Sequence, residues 1–384
     1  MTLIPPTTDF IDAAVGIGPD APLHKARQIR LEAKEATEQA YQYLFGQDHT
    51  ATLSQPLSYF FAQETALLSG SPSLHHHYQT LLADQTVARE TPLMQAALAY
   101  VHVLIGQPNQ AHKGLIDDLL TAGWTVAEVV LLAQLTTYVS HQARLLEGLA
   151  LVAQPAGVTD TAATAEPIKA NTWHQHPTTA SGAMAPTAFT LAQLDWEAWL
   201  PARDVATLDD AAITSMKKFG QINSAYFLLL AHQSALLHAR TVIDRGVFYT
   251  PDGLPRWARE LAAVVVSKVN GCIYCASVHA RKAIQYAKDR ADDVHQLLDT
   301  PAGQVLAASD DERLNALIDF SASLSATPIQ ATSAQVQRLR AAGLSELALL
   351  DLVHATAFFA WANRLMLSLG EPALPAGDSD KEAL

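Results

Sequence analysis

The sequence predicts an all-α protein built from two tandem helical bundles. Apolar residues recur at three- and four-residue spacing through most of the 384 residues, which is typical of amphipathic helices. No run alternates apolar and polar residues between turn signals, as a half-buried strand would. The third observation is an internal repeat, because the two halves match without gaps over a long stretch when the sequence is shifted by 220 residues.

Three kinds of residue anchor this repeat. Pro108, Gly123 and Arg144 of the first copy correspond to Pro328, Gly343 and Arg364 of the second. In each copy the glycine is expected to end one helix, and Thr125 or Ser345 to cap the next. We expect the arginine of each copy to form a structural ion pair. The coincidence of these residue types at one shift favours duplication of a helical domain.

A stretch rich in Ala, Thr, Pro and Gly separates the two copies. It begins at Gln154 and lacks helical periodicity, which indicates a linker. Trp196 and Trp199 then mark a return to packed structure. The sequence therefore predicts a first domain over residues 1–153, a linker over 154–200 and a second domain over 201–384.

Composition excludes several classes of protein. The chain has 25 Lys and Arg against 38 Asp and Glu, and a net charge of −13 argues against binding nucleic acid or an anionic membrane. Residues 1–10 lack the apolar core of a signal peptide, and no stretch offers about 18 uninterrupted apolar residues. Two cysteines cannot form a disulfide scaffold. We expect a soluble, cytoplasmic protein.

The two cysteines, Cys272 and Cys275, are separated by two residues. Asn-Gly before them predicts a helix break, so a helix should start near Cys272, where its dipole and unpaired N–H groups lower a thiol pKa. His279 lies four residues after Cys275, on the same helix face, and its imidazole can relay a proton. An antiparallel pair of helices would bring Glu260, twelve residues before Cys272, near both groups.

Three interpretations of the cysteine pair compete. The thiols could be buried core residues, or they could bind zinc with His279, although structural zinc takes four ligands and no second cysteine pair exists. Redox catalysis is favoured. Peroxide reduction needs a thiolate, a proton for the leaving oxygen and a second thiol to trap the sulfenic acid. Candidates for all three lie between Glu260 and His279, although Glu260 could instead be a salt-bridge partner of Arg256.

The pattern Glu–x11–Cys–x2–Cys–x3–His resembles the thiol-peroxidase branch of the alkylhydroperoxidase D / carboxymuconolactone decarboxylase superfamily. The resemblance covers roughly residues 204–374 and, weakly, the first copy. The layout is similar to the tandem proteins of that family, in which one copy keeps the cysteines. It implies two alkylhydroperoxidase D-like helical bundles, the first degenerate. Some members carry a histidine between the cysteines, where this sequence has Tyr274.

By this resemblance, Cys275 is the thiolate that attacks the peroxide and Cys272 is the resolving thiol, while His279 and Glu260 form the proton relay. The implied substrate is an organic hydroperoxide and the implied reductant a dithiol or a thioredoxin-like protein. No metal, flavin or haem is implied, and we expect a homo-oligomer. Two alternatives remain open: a lactone decarboxylase-like enzyme, and a redox sensor whose disulfide turns nothing over.

The first copy can be aligned with the second by matching His77 to His279. Gly70 then falls on Cys272, Ser73 on Cys275 and Ser58 on Glu260. A copy without thiols predicts packing rather than redox chemistry. His77 ends a run of three histidines, but adjacent helix positions point about 100° apart, so the run does not favour a metal site.

The long repeat helix of the second copy carries further candidates. His354 is interpreted as a core histidine. Phe358, Phe359 and Trp361 are interpreted as core or interface aromatics that could also wall an apolar peroxide pocket.

Overall fold

The structure is a computed structural model, which describes residues 9–46, 52–83, 85–155, 166–173 and 176–375. Helices make up most of it. Within these ranges two short strands, β1 (Asp195–Ala198) and β2 (Gly370–Ala373), pair in antiparallel fashion. The predicted all-α fold is confirmed. None of the helices in these ranges is both long enough and apolar enough to span a bilayer.

The helices before the predicted linker are α1 (Phe10–Val15), α2 (Pro22–Ile29), α3 (Leu31–Phe45), α4 (Gln55–Ser69), α5 (Pro72–Leu82), α6 (Pro92–Gly106), α7 (Lys113–Ala122) and α8 (Val126–Ala153). Those after it are α9 (Asp210–Lys218), α10 (Ala225–Leu230), α11 (Ser234–Phe248), α12 (Arg256–Asn270), α13 (Ile273–Tyr286), α14 (Ala291–Asp299), α15 (Glu312–Ser325), α16 (Ser333–Ala341) and α17 (Glu346–Ser368). Helices α6, α7 and α8 begin 220 residues before α15, α16 and α17.

The ends of these helices repeat at the same shift. The side chain of Thr125 accepts a hydrogen bond from the backbone N–H of the third residue of α8, and Ser345 does the same for α17. Gly123 and Gly343 have φ angles of +109° and +85°, a left-handed conformation that glycine adopts without steric cost. The predicted caps and glycine stops are confirmed.

Helices α8 and α17 are buried along most of their length and pack against each other at the centre of the molecule. Tyr138 of α8 and Trp361 of α17 meet edge to face, with ring centroids 5.3 Å apart. Both helices are buried on nearly all sides, as expected for helices enclosed by others, although each also carries several polar residues. The two copies therefore share one core.

The arginines of the repeat cross between the copies. Arg144 Nη2 donates to the carbonyl of Ser325, the last residue of α15, at 2.9 Å. Arg364 Nη2 donates to the carbonyl of Ile105, near the end of α6, at 3.2 Å, and both guanidiniums also donate to Thr327 Oγ1. The predicted ion pairs are wrong, because carbonyls at the negative ends of two helices take the place of carboxylates.

A buried charge cluster also joins the beginning of the chain to the second copy. Asp351 of α17 accepts from Arg30 Nε at 2.7 Å, and its other oxygen lies 2.9 Å from Arg259 Nη2 of α12. All three side chains are almost completely buried. Removing one partner would leave an uncompensated charge, which is strongly destabilising in a protein interior.

Parts of the predicted linker lie against the second copy. The backbone N–H of Asn171 donates to the carbonyl of Lys268 at 2.8 Å, and Ser277 Oγ of α13 donates to the carbonyl of Ala192 at 2.5 Å. Strand β1 pairs with β2, which directly follows α17. The division of the chain at 153/154 and 200/201 stays a prediction.

The predicted alignment of the first copy with the second is wrong by one residue in the region of α4–α5 and α12–α13. Gly70 and Gly271 both end a helix in the left-handed conformation, with φ of +75° and +78°. Ser71 and Cys272 then cap the next helix, so Ser71 is the counterpart of Cys272. The alignment from sequence matched two histidines, whereas in the structure the corresponding residues are the two glycines whose backbone forms the turn. The first copy still has no thiol.

Gly271 offers a test of how tightly this turn is packed. A Cβ on Gly271 would lie 2.8 Å from Asn109 Cβ and 3.1 Å from the backbone of Thr172, whereas a Cβ on Gly343 would meet nothing within 4 Å. Gly343→Ala should lower the free energy of unfolding by about 1–2 kcal/mol for the left-handed backbone alone. Gly271→Ala should cost about 1–3 kcal/mol more, because it also overpacks the turn.

Urea denaturation followed by far-UV circular dichroism measures both variants. Equal losses in the two variants would contradict the close approach of Asn109 and Thr172 to this turn.

Candidate active site

The predicted site lies on the hairpin of α12 and α13, which pack against each other. Gly271 turns the chain between them, and the backbone N–H of Cys272 closes the end of α12 by donating to the carbonyl of Ser267 at 2.8 Å. Cys272 is the N-cap of α13 and Cys275 lies in its first turn. The predicted helix break and the place of Cys272 are confirmed.

Both cysteines are free thiols and both are buried, with 1% of Cys272 and 5% of Cys275 exposed. Burial raises the pKa of the Cys272 thiol well above its usual value, and the hydrogen bond and charge interaction with Cys275 raise it further. Backbone groups of Tyr274 and Cys275 act in the opposite direction. The expected lowering at the helix N-terminus is therefore wrong for Cys272, because desolvation outweighs the helix end.

Glu260 joins two positively charged or chargeable partners. Its Oε2 lies 2.5 Å from His279 Nδ1, and its Oε1 accepts from Arg256 Nε at 2.5 Å. The carboxylate is fully buried. Burial alone would raise its pKa, but His279, Arg256 and Lys282 together hold the pKa of Glu260 below its usual value of 4.5. The relay contact with His279 and the alternative contact with Arg256 thus exist together.

Aromatic rings enclose the imidazole of His279. The ring of Phe359 lies edge-on at a centroid distance of 4.3 Å, and the ring of Phe248 is tilted at a centroid distance of 6.0 Å. Phe358 packs against Phe359 at 5.8 Å. The apolar wall excludes water from the contact between His279 and Glu260, which strengthens an electrostatic interaction.

Both copies hold the turn that begins α13. Asn363 of α17 accepts from Asn270 Nδ2 at 3.2 Å and donates to Ser267 Oγ at 3.1 Å. From the first copy, Asn109 Nδ2 donates to the carbonyl of Thr172 at 3.0 Å, and this carbonyl group lies against Gly271. The first copy therefore contacts the turn that precedes the two thiols.

Three residues near the site were missed by the sequence analysis: Tyr226, Arg240 and Asp244. Asp244 interacts electrostatically with Arg240, His279, Lys282 and Glu260, and burial raises its pKa. Arg240 and Asp244 are four residues apart on α11, and this spacing of opposite charges was the available signal. Tyr226 stands outside the cysteine motif, and no spacing pointed to it.

His354 is buried on α17, and burial holds its pKa well below the ordinary histidine value. In the first copy, His77 lies 3.0 Å from Tyr41 Oη and His75 lies 3.3 Å from Gln63 Nε2. No group of three or more His, Cys, Asp or Glu in the described part of the chain is arranged to hold a metal ion.

The four predicted site residues therefore lie on one helical hairpin: two neighbouring thiols with a buried carboxylate–imidazole pair. Such a group combines a nucleophile with a proton donor and acceptor.

Comparison with known proteins gives a match on the same hairpin. Residues 234–303, less than a fifth of the chain, match the model of the carboxymuconolactone decarboxylase family. No curated protein matches the chain. The matched segment runs from the start of α11 past the end of α14 and contains all four predicted site residues. Residues 234–303 are thus a domain of the carboxymuconolactone decarboxylase family, the alkylhydroperoxidase D-like superfamily domain.

Proposed function

We propose that this protein is a thiol-dependent peroxidase that reduces organic hydroperoxides. The observation that carries the proposal is the 2.5 Å contact between buried Glu260 and His279 on the hairpin that bears Cys272 and Cys275. A family that includes enzymes matches this hairpin. Burying a carboxylate–imidazole pair costs desolvation free energy, so such pairs are often found where they have a function. Transfer of a proton to or from a neighbouring thiol is a function that suits this pair.

In the proposed reaction the Cys275 thiolate attacks the terminal oxygen of the hydroperoxide. An S–O bond forms as the O–O bond breaks, and the alkoxide leaves as an alcohol after taking a proton. Cys275 becomes a sulfenic acid, so the two electrons come from its sulfur. Cys272 then attacks this sulfur, a disulfide forms, and water carries away the thiol proton and the hydroxyl group.

His279 and Glu260 form the proposed proton relay. His279 takes the proton from the Cys275 thiol and returns it to the leaving alkoxide, while ionised Glu260 orients the ring and stabilises its charged form. Arg256 holds the other oxygen of Glu260, so the carboxylate stays ionised. A dithiol or a thioredoxin-like protein is the proposed reductant that restores both thiols by disulfide exchange.

The two thiols should differ in steady-state turnover of cumene hydroperoxide with a dithiol reductant. Cys275→Ser should abolish turnover because it removes the nucleophile. Without reductant, Cys272→Ser should consume one equivalent of peroxide and stop, with a sulfenic acid on Cys275 that a dimedone adduct in mass spectrometry detects. One equivalent of peroxide should remove both free thiols of the unmodified protein in a thiol titration.

Unchanged peroxide consumption in both serine variants would overturn the proposal. A disulfide that forms but is never turned over would instead support a redox sensor.

The reduced protein should also show unequal thiol reactivity. In Cys275→Ser, the remaining thiol of Cys272 should stay protonated at pH 7, because burial raises its pKa. Its alkylation by iodoacetamide should therefore be slow and should accelerate only above the usual thiol range near pH 8.5. Mass spectrometry of quenched samples measures the rate, with the urea-unfolded variant as control. Equal rates in folded and unfolded protein at pH 7 would contradict the buried, protonated state.

The relay predicts a change in the pH profile. Glu260→Gln should lower kcat/KM about a hundredfold or more, because it removes the carboxylate from the relay. Arg256→Gln keeps the contact between Glu260 and His279 but removes one of the charges that lower the pKa of Glu260. Its acid limb should therefore move to higher pH, since Glu260 becomes protonated earlier as the pH falls.

Plots of kcat/KM against pH for the two variants distinguish a relay from a structural contact. Lys282 and Asp244, which also act on the charges of this site, are kept in both variants. Wild-type kcat/KM in Glu260→Gln would contradict the relay.

A further inference from the structure

A polar pair that the proposed chemistry does not use lies beside the thiols. It consists of Tyr226 on α10 and Arg240 on α11, whose guanidinium carbon stands 5.6 Å from the centre of the Tyr226 ring. Tyr226 is 7% exposed and Arg240 is 6% exposed. A charged group is rarely buried to this degree without a partner of opposite charge.

Both side chains have unused hydrogen-bonding groups. Tyr226 Oη and Arg240 Nε are buried, and neither has a hydrogen-bond partner among the described residues. Asp244, one turn further along α11, interacts electrostatically with Arg240, but no ion pair within 4.0 Å joins the two side chains. Buried donors of this kind are nearly always paired in native proteins, so the pair calls for an acceptor from outside the chain.

The surroundings of the pair are apolar and continuous with the site. Trp196 of β1 packs edge to face on Tyr226, with ring centroids 5.3 Å apart, and its indole N–H donates to the carbonyl of Met366. On the other side, the guanidinium of Arg240 stands 5.0 Å over the ring of Phe358, which belongs to the wall around His279.

Tyr226 is also close enough to the cysteines to interact electrostatically with Cys275, Cys272 and Tyr274. The unused donors therefore lie near the thiols, and the rings of Phe358 and Phe359 connect them to His279.

We propose that Tyr226 and Arg240 bind a carboxylate carried by the substrate. The guanidinium donates in a planar fork that matches a carboxylate, and the phenol adds a third donor. The rings of Trp196 and Phe358 would hold an apolar body between this carboxylate and the reacting group. The preferred substrates would thus be hydroperoxides of apolar carboxylic acids rather than neutral ones. This inference rests on the proposed function.

A matched pair of substrates tests it: 4-(2-hydroperoxypropan-2-yl)benzoic acid and its methyl ester, which differ in the negative charge. The wild-type protein should prefer the acid in kcat/KM. Arg240→Gln should lower the acid-to-ester ratio about ten- to a hundredfold, the effect expected for losing a charge-assisted hydrogen bond. Arg245→Gln, on the same helix but stacked on Tyr249, is the control and should keep the ratio.

Tyr226→Phe keeps the test valid if Arg240→Gln does not fold, because it removes only a hydroxyl group that has no hydrogen-bond partner in the described part of the chain. The acid-to-ester ratio should fall several-fold in this variant. A wild-type ratio in Tyr226→Phe and Arg240→Gln, or equal kcat/KM for acid and ester in the wild type, would overturn the carboxylate site while leaving the peroxidase intact.

A binding measurement separates this inference from the proposed function. Calorimetry with 4-isopropylbenzoate, which carries the carboxylate but no peroxide, should show binding to the wild type and binding at least tenfold weaker to Arg240→Gln. That result without any peroxide turnover would sustain the carboxylate site and contradict the peroxidase. Absence of benzoate binding to the wild type would count against the carboxylate site, whatever the turnover.

Discussion

The packing of α8 against α17 is the constraint on which the rest of the structure depends. Both helices are buried along most of their length, and each packs against the helix of the other copy. Arg144 and Arg364 connect the two copies in both directions, because each guanidinium donates to a carbonyl at a helix end in the opposite copy. Each arginine therefore links its own copy to a helix end in the other copy.

The same helix, α17, connects this central packing to the candidate site. Asp351 near its beginning holds Arg259 of α12, Phe359 packs on His279, and Asn363 holds the turn before Cys272. A displacement of α17 would therefore shift both the carboxylate–imidazole pair and the turn that carries the thiols. This gives the copy without thiols a structural role, because its helix α8 packs against α17, and residues of α17 contact the candidate site.

The sequence predicted the helices and the four motif residues well, because both are local signals. Helical period, glycine stops and caps such as Thr125 act within one or two turns, and the spacing of Cys275 and His279 is set by one helix. What it predicted wrongly depends on distant parts of the chain. The partners of Arg144 are carbonyls more than 180 residues away, the pKa of Cys272 is set by burial, and Tyr226 lies in a separate helix from the motif.

Burial also explains why two neighbouring thiols are suited to unequal roles. In the proposed reaction the attacking sulfur must lose its proton, whereas the resolving sulfur must stay unreactive until a sulfenic acid stands beside it. Desolvation at Cys272 raises the cost of its thiolate and so keeps it protonated, and its interaction with Cys275 adds to this effect. In the proposed reaction this burial would keep Cys272 protonated as the resolving thiol, while Cys275 acts as the nucleophile with His279 as its base.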